Sequence, residues 1–294
     1  TTNYYLTASG ARKLREDFKN RTIINKLVNF NELKIFESAL GQHNIVTILT
    51  KENNKDAIAQ TCITKRGGIA TPEILQRIMN WEDKQTDYYL MKQKDFYEGE
   101  ECYIRLIGNE SITSKILNKM KSQGELLGSI CNVNQGIVTG ADKVSRKHIE
   151  RYKINANVGN GIFIVSNQEI LGLKFSAIES KLLKSWFKNS DISRWSTNNS
   201  STENIIYIGR NEETISDNIK KHLVKYKKLL IKRREVENGV IKWWQLQWPR
   251  LQEIFEVSKI VVPQRSPKNT FGYNEIPWYA SADVYFITEK DNSF

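Results

Sequence analysis

LLGSICNVNQGIVTGADKVSRK, residues 126–147, is the stretch on which the organisation of this chain turns. Its apolar residues Ile130, Val133, Ile137 and Val138 fall in short runs broken by Asn132, Asn134 and Gly136. That pattern predicts two brief strands around a turn rather than a helix. Gly136 and Gly140 mark backbone bends. A phosphate-binding P-loop needs four residues between its glycines and then Lys-Ser/Thr; here three residues separate Gly136 from Gly140 and Ala141 follows, which excludes it. What is left is a polar, glycine-hinged loop from Thr139 to Lys147, carrying Lys143, Arg146 and Lys147. On local grounds alone a solvated turn is the simpler description.

With 294 residues, 39% of them hydrophobic and 10% aromatic, the chain has the material for a large core in one or two domains. Lys and Arg outnumber Asp and Glu by 44 to 33, a net charge of +11, which favours a polyanionic partner. Nucleic acid is the first candidate and an anionic membrane surface the second. No apolar run reaches the ~18–20 residues of a membrane span and no charged-then-apolar leader opens the chain, so the expectation is a cytoplasmic protein with no membrane partner. Cys62, Cys102 and Cys131 stand too far apart for a disulfide framework or a zinc pair, and His43, His148 and His222 are equally scattered. Buried thiols and no protein-built metal site are expected. Opening on Thr1 in a structured-looking segment, the sequence reads as a piece of a longer protein.

Working outward, residues 1–6 read as the end of a strand, and Ser9 as the N-cap of a helix over 11–20 with Leu14 and Phe18 on one face. Residues 22–30 hold Ile23, Ile24, Leu27, Val28 and Phe30, the near-continuous apolar run of a strand covered on both faces. A second strand is predicted over 44–50, with a polar loop carrying Phe36 between them. This order is that of a late half of a doubly wound α/β domain without a nucleotide fingerprint. Further strands are predicted over 56–64 and 88–96, a helix over 71–81 capped by Thr71 with Pro72 in its first turn, a strand over 103–107, and a helix over 111–122 with Ile112, Ile116, Leu117 and Met120 inward. The acids of WEDKQTD, 81–87, lack the strand context of a PD-(D/E)xK nuclease and read as a solvated patch.

TTNYYLTASGARKLR with FNELKIFESALGQHNIVTIL resembles the late catalytic-domain motifs of adenine-N6 DNA methyltransferases of the TaqI-like and Eco57I-like group. The resemblance continues through GSICNVNQGIVTGADKV, KNSDISRW (188–195), residues 221–246, KIVVPQRS (259–266) and YASADVYFI (279–287), which are similar in order and spacing to the landmarks of the TaqI-like C-terminal specificity domain. It implies the C-terminal portion of a Rossmann-like methyltransferase domain over 1–105, followed over 106–294 by a mixed α+β target-recognition domain. It also implies that Phe36 stacks on an extruded adenine, for which a flat π face is required. The family's glycine-rich S-adenosylmethionine loop and Asn-Pro-Pro-Tyr/Phe motif are absent from this sequence. The cofactor is therefore expected in the parent enzyme, with no cofactor site in these residues and the N-terminal catalytic half as their missing partner.

Within the second region, residues 216–234 read as a helix with Ile219, Leu223, Tyr226 and Leu230 along one side. Lys220, Lys221, Lys225, Lys227, Lys228, Lys232, Arg233 and Arg234 occupy the rest. Like charges three and four apart cost helix stability, and a phosphate backbone would offset that repulsion. WWQLQWPR, 243–250, sets Gln245, Gln247 and Arg250 among tryptophans, which suits either core packing or base-edge contacts. A buried strand over 260–262 ends at Pro263 and delivers Gln264, Arg265 and Lys268 into a loop. Asp283 reads first as a capping or structural carboxylate and second as an acceptor for a cytosine amino group, and Arg194 and Trp195, after a capping Asp191, are open between structural and binding roles. Candidate contacts to double-stranded DNA are thus Thr139, Lys143, Lys147, Arg194, Lys227, Lys228, Lys232, Arg233, Gln245, Arg250, Gln264, Arg265 and Lys268, on a chain expected to act as a monomer. A non-catalytic specificity subunit and a nuclease fused to the methyltransferase are the rival readings.

Overall fold

The computed structural model describes residues 1–36, 43–107 and 112–290, and the chain divides into two compact units, Thr1–Gly124 and Glu125–Phe294. The division falls beyond the 105/106 boundary read from the sequence. Residues 37–42 of the expected Phe36 loop, and Ser111 at the expected helix start, lie outside the described residues.

The first unit runs α1 (Arg12–Arg21), β1 (Ile23–Asn31), β2 (Asn44–Thr50), β3 (Ile58–Thr64), α2 (Pro72–Met79), β4 (Thr86–Lys92), a short ribbon of β5 (Tyr97–Glu98) with β6 (Tyr103–Ile104), and α3 (Ile112–Gln123). The main sheet has the order β2-β1-β3-β4. Strands β1 and β3 pair in parallel while β2 and β4 run antiparallel on the edges, so the sheet is mixed. Strand β1 is covered on both faces, as its composition predicts. A register shift between Ile24 and Lys26 puts Ile24 and Leu27 on one side, packed with Ile45, Ala59, Met91 and Phe96. Val28 and Phe30 pack on the other side with Leu33, Cys62 and Ile78.

Thr71 caps α2, accepting from the Ile74 amide at 3.3 Å, with Pro72 in the first turn. Residues 3–6, by contrast, form a 3-10 turn, with only the preceding Thr2 bridged to Asn44. Ser9 opens another 3-10 turn and caps nothing. Helix α1 buries Arg15 rather than Leu14, because the guanidinium satisfies the carbonyls of Tyr5 (2.9 Å), Ala8 (2.7 Å) and Glu101 (3.0 Å) and lies over the Tyr103 ring. Ile116, Leu117 and Met120 of α3 are exposed rather than inward. Asp83, assigned to a solvated patch, is buried: Arg66 approaches it at 2.6 Å and Thr86 donates to it at 2.6 Å.

The second unit contains α4 (Leu127–Ile130), β7 (Cys131–Gln135), α5 (Arg146–Tyr152), β8 (Ile164–Ser166), α6 (Asn167–Leu173), α7 (Ala177–Ser180), β9 (Leu183–Phe187), the hairpin β10 (Ile192–Ser193) with β11 (Ser196–Thr197), and β12 (Glu203–Ile206). It continues with α8 (Asp217–Val224), α9 (Lys227–Leu230), α10 (Arg234–Glu237), α11 (Glu253–Glu256), β13 (Lys259–Pro263), β14 (Gly272–Asn274), β15 (Tyr279–Ala280) and β16 (Val284–Glu289). Two four-stranded sheets, β15-β9-β12-β8 and β14-β13-β16-β7, share one core with the apolar sides of α8 and α9. Phe187 stacks on Trp278 at 4.7 Å near its centre. Both units are mixed α/β structures with small sheets, and the second is α+β as expected.

In the opening stretch only 131–135 forms a strand. Ile130 ends the one-turn helix α4, and Ile137 and Val138 make single bridges, to Ser281 and Trp248. The chain crosses the Ala280–Ser281 backbone so closely at Gly136 that a Cβ there would lie 2.6 Å from the Ala280 carbonyl oxygen. The expected helix over 216–234 is broken into α8, α9 and α10. The turn at Lys225–Tyr226 re-aims the chain so that Tyr226, Leu229 and Leu230 all reach the core that Ile219 and Leu223 already fill.

Arg66 holds the Asp83 carboxyl down at about 2, well below its ordinary 3.8. A depressed carboxylate contributes stability that is complete above the ordinary value and is lost as pH falls through the folded one. Asp83→Asn should therefore lower the melting temperature at neutral pH by several degrees. Its gap from the wild type should narrow in acid and close at about 2; a gap independent of pH in calorimetric melts would show that the charge of Asp83 is not what matters.

Candidate nucleic-acid interface

The connection from β7 to α5 forms one wall of a cleft of about 750 Å³, lined also by Trp186, Lys188, Glu203 and Ser281–Asp283. Its shape is set by backbone bonds. The Asp142 carbonyl accepts from the amides of Ile162 (2.9 Å) and Ile164 (3.1 Å), and Thr139 bonds Asp142 through its hydroxyl while that oxygen accepts from Ala141 at 3.1 Å. Gly140 adopts a φ of 82° and leaves no room for a Cβ, which would lie 2.7 Å from Arg233 Cδ. The loop then enters α5 through Ser145, which accepts from His148 in a capping box.

Glu203 faces Lys143 and Lys188 in the cleft, the latter at 2.7 Å. Burial pushes its carboxyl up, but the two lysines outweigh that and hold it below the ordinary range. Lys143, one of the candidate DNA contacts, is thus paired with Glu203 in the cleft.

Four more candidate contacts turn out to be structural. Arg233 is buried and donates to the carbonyls of Leu230 (3.2 Å), Thr139 (2.9 Å) and Trp243 (2.8 Å), with its guanidinium over the Phe163 ring. Burial lowers its pKa to about 10, which leaves it charged at neutral pH. Gln245 is buried, giving its amide to the carbonyls of Arg210 (3.0 Å) and Glu212 (3.1 Å) and accepting from Lys242. Arg250, at a φ of 65°, donates to the Gly136 carbonyl at 3.1 Å. Thr139 is buried beneath the cleft loop. The common cause is irregular backbone: carbonyls that no helix or sheet satisfies are bonded by long polar side chains instead.

The remaining candidates are exposed. Helix α5, which begins with exposed Arg146 and Lys147, packs against α9, whose Lys227 and Lys228 are exposed; Lys227 lies 5.3 Å over Trp243. Lys232 is exposed and pairs with Glu237 at 3.3 Å. Gln264, Arg265 and Lys268 are exposed between β13 and β14, and the Gln264 amide donates to Asp283 at the cleft rim (2.7 Å). Asp283, whose amide donates to the Ser281 hydroxyl, belongs to a turn there. Arg194 and Trp195 form the tip of the β10–β11 hairpin. In the first unit Phe36 is 54% exposed. Lys188 and the Arg210–Trp248 stack (4.7 Å) carried no local sequence signal. Among the described residues no group of His, Cys, Asp and Glu could hold a metal ion, and no helix is long and apolar enough to cross a membrane. Cys62 and Cys102 are buried and Cys131 is half-buried.

No family model and no curated protein matches the chain. Among solved structures it is similar to the Type IIL restriction-modification enzyme MmeI in complex with DNA, with 11% identity and a TM-score of 0.48, over 99% of this chain and 33% of that one. It is also similar to the type IIG restriction endonuclease BpuSI, with 12% identity and a TM-score of 0.30, over 99% of this chain and 34% of that one. The chain thus spans about a third of the length of each.

Arg233→Ala should destabilise the second unit by roughly 3 kcal/mol, since three backbone acceptors lose a charged donor. Lys228→Ala, on the surface, should stay within about 0.5 kcal/mol of the wild type. Urea denaturation of the two variants decides between an anchor and a ligand-binding cation at 233; similar midpoints for both would remove the anchoring role.

Proposed function

We propose that this chain recognises duplex DNA for a restriction-modification enzyme, as the C-terminal part of a site-specific adenine-N6 methyltransferase acting as a monomer in the cytoplasm. The observation that carries the DNA-binding part is the exposed cation set beside the cleft: Arg146, Lys147, Lys227 and Lys228 lie on two packed helices. The Gln264–Lys268 loop abuts the cleft rim in the same unit. Cations on packed helices suit a phosphate backbone, and a polar loop projecting from a sheet suits base edges. The methyltransferase part rests on the sequence resemblance. In that reading exposed Phe36 stacks on the extruded adenine.

The residues present do not form a cradle for S-adenosylmethionine of the kind the resemblance implies. Pro72, Pro249, Pro263, Pro267 and Pro277 stand singly, so no Asn-Pro-Pro motif exists here. The cofactor, in this reading, is held by residues outside this sequence, and isothermal titration of the chain with it should give no binding heat. Tight stoichiometric binding would sink that division of labour.

Phosphate and base contacts fail differently. Lys227, Lys228 and Lys232 replaced together by Gln should weaken binding to all duplexes alike and flatten the salt dependence by about 0.9 per lost phosphate contact. Gln264→Ala or Arg265→Ala in the full-length enzyme should leave non-specific binding intact and relax discrimination at one base pair by about 1–3 kcal/mol. Gel-shift titrations at several salt concentrations measure both. An unchanged salt slope in the triple variant would return those helices to a merely solvated surface.

A further inference from the structure

The β10–β11 hairpin closes through a two-residue turn, Arg194–Trp195, between paired Ser193 and Ser196. Trp195 holds a φ of 76° there, in the second turn position that glycine or asparagine ordinarily fills. It is also the most exposed of the seven tryptophans, at 66%. The chain therefore keeps a large apolar side chain in water at a backbone position that disfavours it. Trp81, the other tryptophan at positive φ, is stacked on Tyr88 at 4.9 Å. Trp195 instead carries the Arg194 guanidinium, 5.4 Å from its ring centre.

Its backbone is held firmly. The Trp195 amide donates to the Phe271 carbonyl at 2.6 Å, and Trp195 bridges Gly272. The hairpin and β14 lie so close that a Cβ on Gly272 would sit 2.7 Å from Thr197 Cγ2 and 2.8 Å from the Ser196 carbonyl oxygen. Asn274 donates to Thr197 at 2.9 Å, and buried Lys259 in turn bonds Asn274 at 3.1 Å. This anchoring joins the tip to the end of the segment that begins with Gln264 and Arg265, on the unit that carries the basic face.

We propose that Trp195 is an aromatic wedge that stacks into an opened base step of duplex DNA, with Arg194 supplying a cation to the flanking phosphates; this rests on the DNA-binding reading above. Strain held at an exposed turn points to use, and a rigidly mounted indole with a neighbouring guanidinium matches what an unstacked base presents. The probes are a labelled duplex of mixed sequence and the same duplex carrying one abasic site, whose stack is already interrupted. The wild-type chain should prefer the interrupted duplex by roughly tenfold. Trp195→Gly and Trp195→Asn both suit the positive φ, so both should melt no lower than the wild type. They should keep its salt dependence and lose the preference, while Trp195→Phe retains part of it. A wild-type chain that binds both duplexes equally, or a glycine variant that keeps the preference, overturns the wedge while leaving the DNA-binding reading standing. Failure of the wild-type chain to bind either duplex overturns both.

Discussion

Among the described residues the buried Arg233 guanidinium hydrogen-bonds three backbone carbonyls and no carboxylate, and so ties three stretches of the second unit to one another. Arg233 reaches the Thr139 carbonyl in the cleft loop, the Leu230 carbonyl at the end of α9 and the Trp243 carbonyl in the tryptophan turn. Thr139 lies 94 positions from Arg233 while Leu230 and Trp243 lie 3 and 10 positions away, and none is part of a sheet at that point. A buried carbonyl left without a donor costs about 1–3 kcal/mol, so one side chain that serves three of them sets where all three segments sit. Gly140 belongs to the same constraint, since the Arg233 side chain fills the space a Cβ would need.

This arrangement sorts the cations of the unit into two populations. Arg233, Arg250 and Lys259 satisfy backbone oxygens inside the protein, and Lys143 and Lys188 are engaged by Glu203. Lys227, Lys228, Arg265 and Lys268 stay exposed on the surface. The net charge of +11 therefore overstates what is free to meet a polyanion. The first unit repeats the pattern: Arg15 is consumed by three carbonyls and Arg66 by Asp83.

Elements with a strong periodic or capping signal were legible. The strand at 44–50, the central strand at 23–31 covered on both faces, and α2 with its Thr71 cap all follow from local composition. Candidate site residues fared by a different rule. Gln264, Arg265 and Lys268 follow a strand end at Pro263, so their exposure could be read from the punctuation around them. Arg233 and Gln245 sit among residues of the same types as their exposed neighbours, and nothing within a few positions marks them as buried. Trp195 shows the converse: a tryptophan next to an arginine reads as core or surface with equal ease until its turn geometry is known.

The sequence by itself determined the mixed α/β class, the basic character of the chain, the apolar side of residues 216–234 and the places of strands β1, β2, β3 and β13, because these depend on period, composition and local caps. Only the tertiary structure decided the strand order and directions of the first sheet, that the basic segment breaks at Lys225–Tyr226, and which cations remain exposed. Strand partners and backbone acceptors come from distant segments. An arginine is drawn inward when folding places unsatisfied carbonyls within its reach, and that reach is a property of the assembled chain.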